Sequence, residues 1–396
     1  MVSLTGEAAF SERDLMALQD PGRSSAGLLG ASRWASTMRG VGSASGVVLA
    51  HGTAGIPVVD ARPLMREERE AESGAALAPG AARAAGAGNR AAREEPDPYR
   101  TCFERDRDRV LHSPSFRRLL GKTQVFIFPA DHQRTRLTHA LEVTQVATGV
   151  SKAIGLNVEL TEAIALAHDV GHTPCGHYGE TAMRSFIPDF HHAAFGADVA
   201  LAPLNLCAET LDGVRCHSWD LPAPSTLEGE VVAWADRIAY CTHDLEDACR
   251  AGIVQVGALP AAVAGRAGTT RREQIGYFIG ALVNCAVERG VIGMDSEAAG
   301  VLGEMRSFNY ENIYAREEAV SEGEAAVSVL CALVEYFGED SGRIAPGAFE
   351  SEPDTLGRGV AYVSGMTDRF AFETAVEKLG WQKEKLPRGI DSPYGK

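Results

Sequence analysis

The chain has 396 residues, 45% hydrophobic and only 7% aromatic, long enough to bury a sizeable core. Its 53 acidic against 38 basic side chains give a formal charge of -15; nucleic acid and anionic membranes repel such a surface at long range, so neither is expected as the main ligand. Eight cysteines without a CxxC pair argue for reduced thiols, and with neither a basic-then-apolar leader nor a run of ~20 apolar residues the cytoplasm is the expected compartment and a membrane is not an expected partner.

Residues 1 to about 95 contain no lysine and are rich in Gly, Ala, Ser and Arg, including the low-complexity piece AALAPGAARAAGAGNRAAR. Few of these side chains can offset the entropy lost on ordering, so 1–95 is expected to be a largely disordered extension, with local structure possible at apolar patches such as Gly46 to Ala50. A folded region is then expected over 96–396, its last part, about 259–396, forming additional C-terminal helices.

From Arg100 the pattern turns helical. Val143, Val146, Val150 and Ile154 recur at threes and fours and define one buried face, which Gly155 and Asn157 end. A second helix, ELTEAIALAHDVGH, carries Thr161 as a cap candidate. A third covers TLEGEVVAWADRIAYCTHDLEDACRAG, with Leu227, Val231, Ala235, Ile238, Thr242 and Leu245 inward and Gly252 beyond its end. GKTQVFIFP is expected to form a short hairpin arm; a Gly/Ala-rich connector spans Ala258 to Thr270; helices resume to about Phe337, and a last one runs from Gly359 to Leu379. The fold class is therefore all-α, with no internal repeat and no Gly-rich phosphate loop.

His168 and Asp169 are adjacent at the end of an apolar helix, and adjacent helical residues point about 100° apart, so both reach one ion only where the helix end frames a cleft. His139 starts the preceding helix, and Asp236 sits in the strongly apolar VVAWADRIAY, where an unpaired carboxylate is expensive to bury. A divalent metal would compensate that cost. Mixed imidazole and carboxylate donors suit Mn, Fe, Co, Ni, Zn or Mg alike. Asp236, Tyr240 and Asp244, spaced by four and four, line one side of the third helix.

With these residues in place the chain resembles the deoxyguanosine triphosphate triphosphohydrolase (dGTPase) family of the HD superfamily. The resemblance rests on FERDRDRVLHSPSFRRLLGKTQV, RTRLTHALEV, LAHDVGHTPCGHYGE, LEGEVVAWADRIAYCTHDLEDA and GMTDRFA, in family order from about Phe103 to Trp381. It implies an HD-domain helical bundle whose metal is held by His139, His168, Asp169 and Asp236 beside the α-phosphate of a deoxynucleoside triphosphate. His177 and Glu180 match the family's catalytic GHxGE element, and their spacing of three puts them on one helical face. Arg136 and Arg237 resemble positions that meet phosphate oxygens, Gln124 one near the sugar and base, Asp244 one that binds the 3′-hydroxyl, and Tyr240 one that presses on C2′ and leaves little room for a hydroxyl there. His172, Arg117 and Arg118 are weaker candidates for supporting roles.

The reaction implied is attack of water on the α-phosphorus with His177 assisting proton transfer, yielding deoxynucleoside and tripolyphosphate. The family also implies an allosteric nucleotide and a homo-oligomer, a hexamer or smaller even assembly.

Two departures from the family pattern bear on substrate and control. Cys175 replaces an aromatic residue before Gly176, and the stretch after His192 reads Ala193, Ala194, Phe195, Gly196, Ala197, Asp198 without the family's amide and basic side chains. An HD phosphatase of nucleoside monophosphates or other phosphoesters, and a weakly active nucleotide-binding regulatory subunit, are the competing readings.

Overall fold

A computed structural model describes residues 41–42, 46–51, 61–345, 349, 352 and 354–394. The rest of the N-terminal extension lies outside the described residues. Within the unit formed by residues 1–63, a two-stranded antiparallel ladder pairs β1 (Val41–Gly42) with β2 (Val48–Leu49), Val41 opposite Leu49. Local order at the 46–50 patch thus takes the form of a hairpin.

Residues 64–396 form a second unit, and among its described residues there is no sheet. It begins with α1 (Arg66–Ala76), α2 (Cys102–His112) and α3 (Pro114–Arg118). Residues 64–95, expected to be disordered, instead belong to this unit. Ala81 is buried, and Arg90 is held by an ion pair with Asp106 at 2.6 Å, both side chains essentially inaccessible. Arg90 also donates to the carbonyls of Ala87, Cys102 and Asn205. Buried polar anchors, rather than large apolar side chains, order this low-complexity segment, and composition does not register them.

The long helices are α4 (Arg136–Ile154), α5 (Val158–Ala167) and α9 (Leu227–Arg250), with short α6 (His177–Arg184), α7 (His192–Phe195) and α8 (Ala208–Arg215) between them. Val143, Val146 and Val150 of α4 pack with Leu160 and Ile164 of α5 and with Val231, Ala235 and Ile238 of α9 in one core, as the periodicity predicts. Gly155 ends α4 in the left-handed conformation, φ +75°, where it supplies the backbone freedom that a side chain would oppose. The cap of α5 is Asn157, whose side chain accepts from the Leu160 N–H. Thr161, expected as that cap, lies a turn inside, and its hydroxyl donates to the Asn157 carbonyl. A short polar side chain can bond back to the preceding turn as readily as it can cap.

The C-terminal helices are α10 (Arg271–Arg289), α11 (Ser296–Asn309), α12 (Glu317–Glu339), α13 (Thr355–Ser364) and α14 (Asp368–Leu379). Phe278 and Leu282 of α10 and Leu302 and Met305 of α11 complete the first core. Helices α12 to α14 build a second one around Val329, Leu330, Leu333, Val360 and Phe372, joined by Met183 of α6. The expected last helix divides at Gly365 and Met366, where Thr367 caps α14 through its hydroxyl. GKTQVFIFP forms no strand; Thr123 makes only an isolated bridge with Thr135. Its Phe126, Ile127 and Phe128 are instead buried in the two cores, so their apolar run serves tertiary packing.

Candidate metal centre and nucleotide cavity

His139 comes from the first turn of α4, His168 and Asp169 from the end of α5, and Asp236 from the middle of α9. The three helices pack on one another, so residues far apart in sequence meet. His139 Nε2 lies 3.0 Å from Asp236 Oδ1 and 3.9 Å from Asp169 Oδ2; His168 Nε2 lies 3.5 Å from Asp169 Oδ1 and 3.7 Å from Asp236 Oδ1. His139, His168 and Asp169 are buried, with donor atoms close enough to share one ion. Asp236 faces both imidazoles.

The residues fit a cation on their own chemistry. His168 Nδ1 donates to the Ala165 carbonyl at 2.7 Å, which leaves the Nε2 lone pair pointing at the carboxylates. That Nε2 is buried without a hydrogen-bond partner, a costly arrangement unless something electrophilic occupies the space. Burial pushes Asp236 up, yet the His139 hydrogen bond and the imidazoles hold it down at about 2. Asp169 is likewise held well below the usual carboxylate range against burial, by His168, Arg136 and His172.

Arg136 donates from NH1 to Asp169 Oδ2 at 2.7 Å, and His172 Nε2 lies 3.2 Å from the other oxygen. Arg136 therefore orients the aspartate, while His172 forms with Asp169 and His192 a second buried group whose donor atoms lie close enough to share an ion. Gly171 permits the approach of the next segment, since a Cβ there would lie 2.1 Å from the His192 carbonyl and 2.4 Å from the Gly196 nitrogen. The altered stretch 193–198 thus has a packing role here, with Ala193, Gly196 and Ala197 buried against the loop that carries Asp169.

These groups open onto a cavity of about 820 Å³. All the predicted binding side chains line it: Gln124, Arg136, His177, Arg237, Tyr240 and Asp244. His177 is 77% exposed, and its Nδ1 meets Glu180 Oε2 at 3.2 Å. Glu180 is buried and fixed also by Arg184 at 2.9 Å and His192 at 3.2 Å; the bonds from His177 and His192 and the nearby His172 lower its proton affinity against the effect of burial. Arg237 lies 3.4 Å above the Trp219 ring and, among the described residues, makes no ion pair. Its guanidinium therefore remains available to an anion in the cavity.

Tyr240 accepts from Arg306 Nε at 3.0 Å, and Asp244 accepts from the Tyr314 hydroxyl at 2.5 Å. Burial raises Asp244 to about 7 despite that bond. Arg118 is half-buried and donates to Ser115, while Arg117 donates to the His112 carbonyl at the end of α2; neither lines the cavity.

Sequence reasoning missed His217, Trp219, Arg306 and Tyr314, all on the cavity wall. His217 Nε2 lies 3.3 Å from His192 Nε2, and its ring lies 5.1 Å from that of His168. A lone His and a lone Trp in the loop between α8 and α9 carry no local signal. Only the register with α9 could have pointed to Arg306 and Tyr314. Cys175, whose substitution bears on the pocket wall, is 2% exposed within the second core.

A helical bundle that brings His139, His168 and Asp169 close enough to share one ion, with Asp236 beside the imidazoles, has the layout of an HD-domain phosphohydrolase, and the HD domain family matches residues 136–241, the phosphohydrolase-associated domain residues 292–377. A deoxyguanosinetriphosphate triphosphohydrolase-like protein of Caldanaerobacter subterraneus subsp. tengcongensis is 39% identical over 306 residues, covering 74% of this chain and 90% of its own. One from Desulfatibacillum aliphaticivorans is 37% identical over 341 residues, covering 79% and 96%. The chain belongs to this dGTPase-like family of HD hydrolases. A solved structure of a hypothetical protein from Aquifex aeolicus aligns with TM-score 0.44 and 16% identity over 70% of this chain and 69% of its own, too distant to bear on the site. No described helix is long and apolar enough to cross a membrane.

Proposed function

We propose that the chain hydrolyses deoxynucleoside triphosphates, dGTP or another, to deoxynucleoside and tripolyphosphate, with a divalent ion held by His139, His168, Asp169 and Asp236. The observation that carries this reading is one cavity that joins the His/Asp cluster to Arg237, a guanidinium without a carboxylate partner, and to the Tyr240–Asp244 face of α9. An acidic chain needs such a local cationic group to hold a triphosphate. When bound, a divalent cation supplies Lewis-acid stabilisation of phosphoryl oxygen charge and favours deprotonation of water.

The chain's own residues do the rest. Glu180 accepts from His177 Nδ1, so His177 Nε2 is left as the proton acceptor. Arg136 binds Asp169 and borders the cavity, so it couples the cation site to the phosphate position. Tyr240 offers its ring to the sugar, and Asp244, titrating near neutrality, can accept from or donate to a sugar hydroxyl. A nucleotide-responsive homo-oligomer remains part of the proposal through the family resemblance.

Chromatography of products from the four dNTPs with Mn, Mg and Co tests the reading. Tripolyphosphate and deoxynucleoside are expected. Orthophosphate release from monophosphates alone would favour the phosphatase reading, and binding without cleavage, singly or in nucleotide mixtures, the regulatory one.

A further inference from the structure

Asp368 begins α14, far along the chain from His177 and Glu180, and is 4% exposed. Both of its oxygens are engaged by loops of the cavity. Oδ2 accepts the Thr123 N–H at 2.9 Å and the Thr123 hydroxyl, and Oδ1 accepts the Cys175 N–H at 2.9 Å. Thr123 precedes Gln124, and Cys175 lies two residues before His177, so one carboxylate ties together the two segments that carry these side chains. Beside it the buried Lys122 donates to the His172 carbonyl and, at 2.8 Å, to the Ser364 carbonyl. The α13–α14 corner therefore grips the Thr123 loop and the segment after Asp169 at once.

The turn so held is conformationally unfavourable. Cys175 and Gly176 both have φ +60°, and for Cys175 this is the left-handed region that L side chains rarely adopt. Such a turn persists only where its surroundings over-determine it. A Cβ at Gly176 would lie 2.9 Å from Arg136 Nη2, so a side chain there would displace the guanidinium that holds Asp169. The turn thus lies against the arginine that orients Asp169 and leads directly into His177, the first residue of α6. An N–H bond to a buried carboxylate is the restraint placed at the strained residue itself.

We propose that Asp368 is a positioning residue. It locks the Cys175–Gly176 turn and the Thr123 loop in one register, so that the His177 imidazole and the Gln124 amide face the same substrate. This gives the phosphohydrolase-associated segment a direct part in assembling the site. The kinetic consequence rests on the triphosphohydrolase reading; the structural one does not.

The test is Asp368→Asn in the full-length, metal-loaded protein. Asparagine keeps the shape but turns one acceptor into an NH2 donor, which cannot receive an N–H, so at least one loop loses its anchor. The expected result is faster deuterium uptake in peptides covering 121–126 or 173–178, with 140–154 and the bound metal unchanged. Turnover of the best dNTP should fall about 10- to 100-fold in kcat with little change in KM. Unaltered uptake in both loops, or a kcat loss matched by loss of metal, would overturn the proposal. If the wild type cleaves no dNTP the functional reading fails, while the uptake comparison still decides the positioning role. Should Asp368→Asn not fold, Thr123→Val removes only the hydroxyl arm: faster uptake at 121–126 supports the proposal, and no change overturns it.

Discussion

Replacing either cluster aspartate by alanine should abolish metal binding, but the two replacements should differ sharply in what they do to the metal-free fold. Asp169 is 3% exposed and pairs at 2.7 Å with Arg136, itself 4% exposed. In Asp169→Ala that guanidinium stays buried with its charge unopposed, and its Nε already lacks a partner. Breaking a buried pair in this way costs about 3–5 kcal/mol. Asp236 is 22% exposed toward the cavity and its one close partner is the His139 ring at 3.0 Å. A neutral imidazole left in its place loses a single hydrogen bond, about 1 kcal/mol. Urea unfolding in EDTA, followed by far-UV circular dichroism, should therefore separate the variants by at least about 2 kcal/mol, roughly a 30-fold difference in the folding equilibrium. Metal content measured alongside should fall in both. Arg136→Met added to Asp169→Ala should recover part of the loss, as a double-mutant cycle would show. Equal metal-free stabilities for the two single variants would refute the assignment of Asp169 as the counter-charge of Arg136.

Three other outcomes are expected. Arg90→Ala should destabilise the fold by about 3–5 kcal/mol in chemical denaturation, because Asp106 and three carbonyls lose a shared buried donor; a loss below about 1 kcal/mol would mean that residues 64–95 contribute little to the unit. Asp244 is raised by burial from 3.8 to about 7, so the folded state binds the extra proton in that window. Stability should consequently be higher below pH 4 by this contribution and decline as pH rises from about 4 to 7, on the order of 4 kcal/mol in total; Asp244→Asn should lack that decline relative to wild type in pH-dependent melting. Tyr240→Ala should raise the ratio of ribonucleotide to deoxyribonucleotide turnover about 10-fold or more in competition assays, and an unchanged ratio would remove Tyr240 from sugar discrimination.

The sequence by itself determined the helical class and the three helices that bring His139, His168, Asp169 and Asp236 near one another. Period-3.6 apolar stripes in α4 and α9 specify which faces are buried, and a carboxylate at Asp236 beside such a stripe is conspicuous because its apolar neighbours make an unpaired charge costly. His177 and Glu180 were singled out by their match to the GHxGE element, and their spacing of three on one helix is what brings them into contact. The order of residues 64–95, by contrast, depends on Arg90 finding Asp106, Cys102 and Asn205, and nothing local in a Gly/Ala-rich stretch encodes a hydrogen bond to a residue 115 positions away. The same holds for Tyr314 against Asp244, Trp219 under Arg237 and Asp368 between two loops. Each is a polar or aromatic contact between distant segments, directional and short in range, so only the packed tertiary structure decides it. Apolar periodicity survives in the sequence because burial needs merely a face, whereas these contacts need a particular partner at a particular distance.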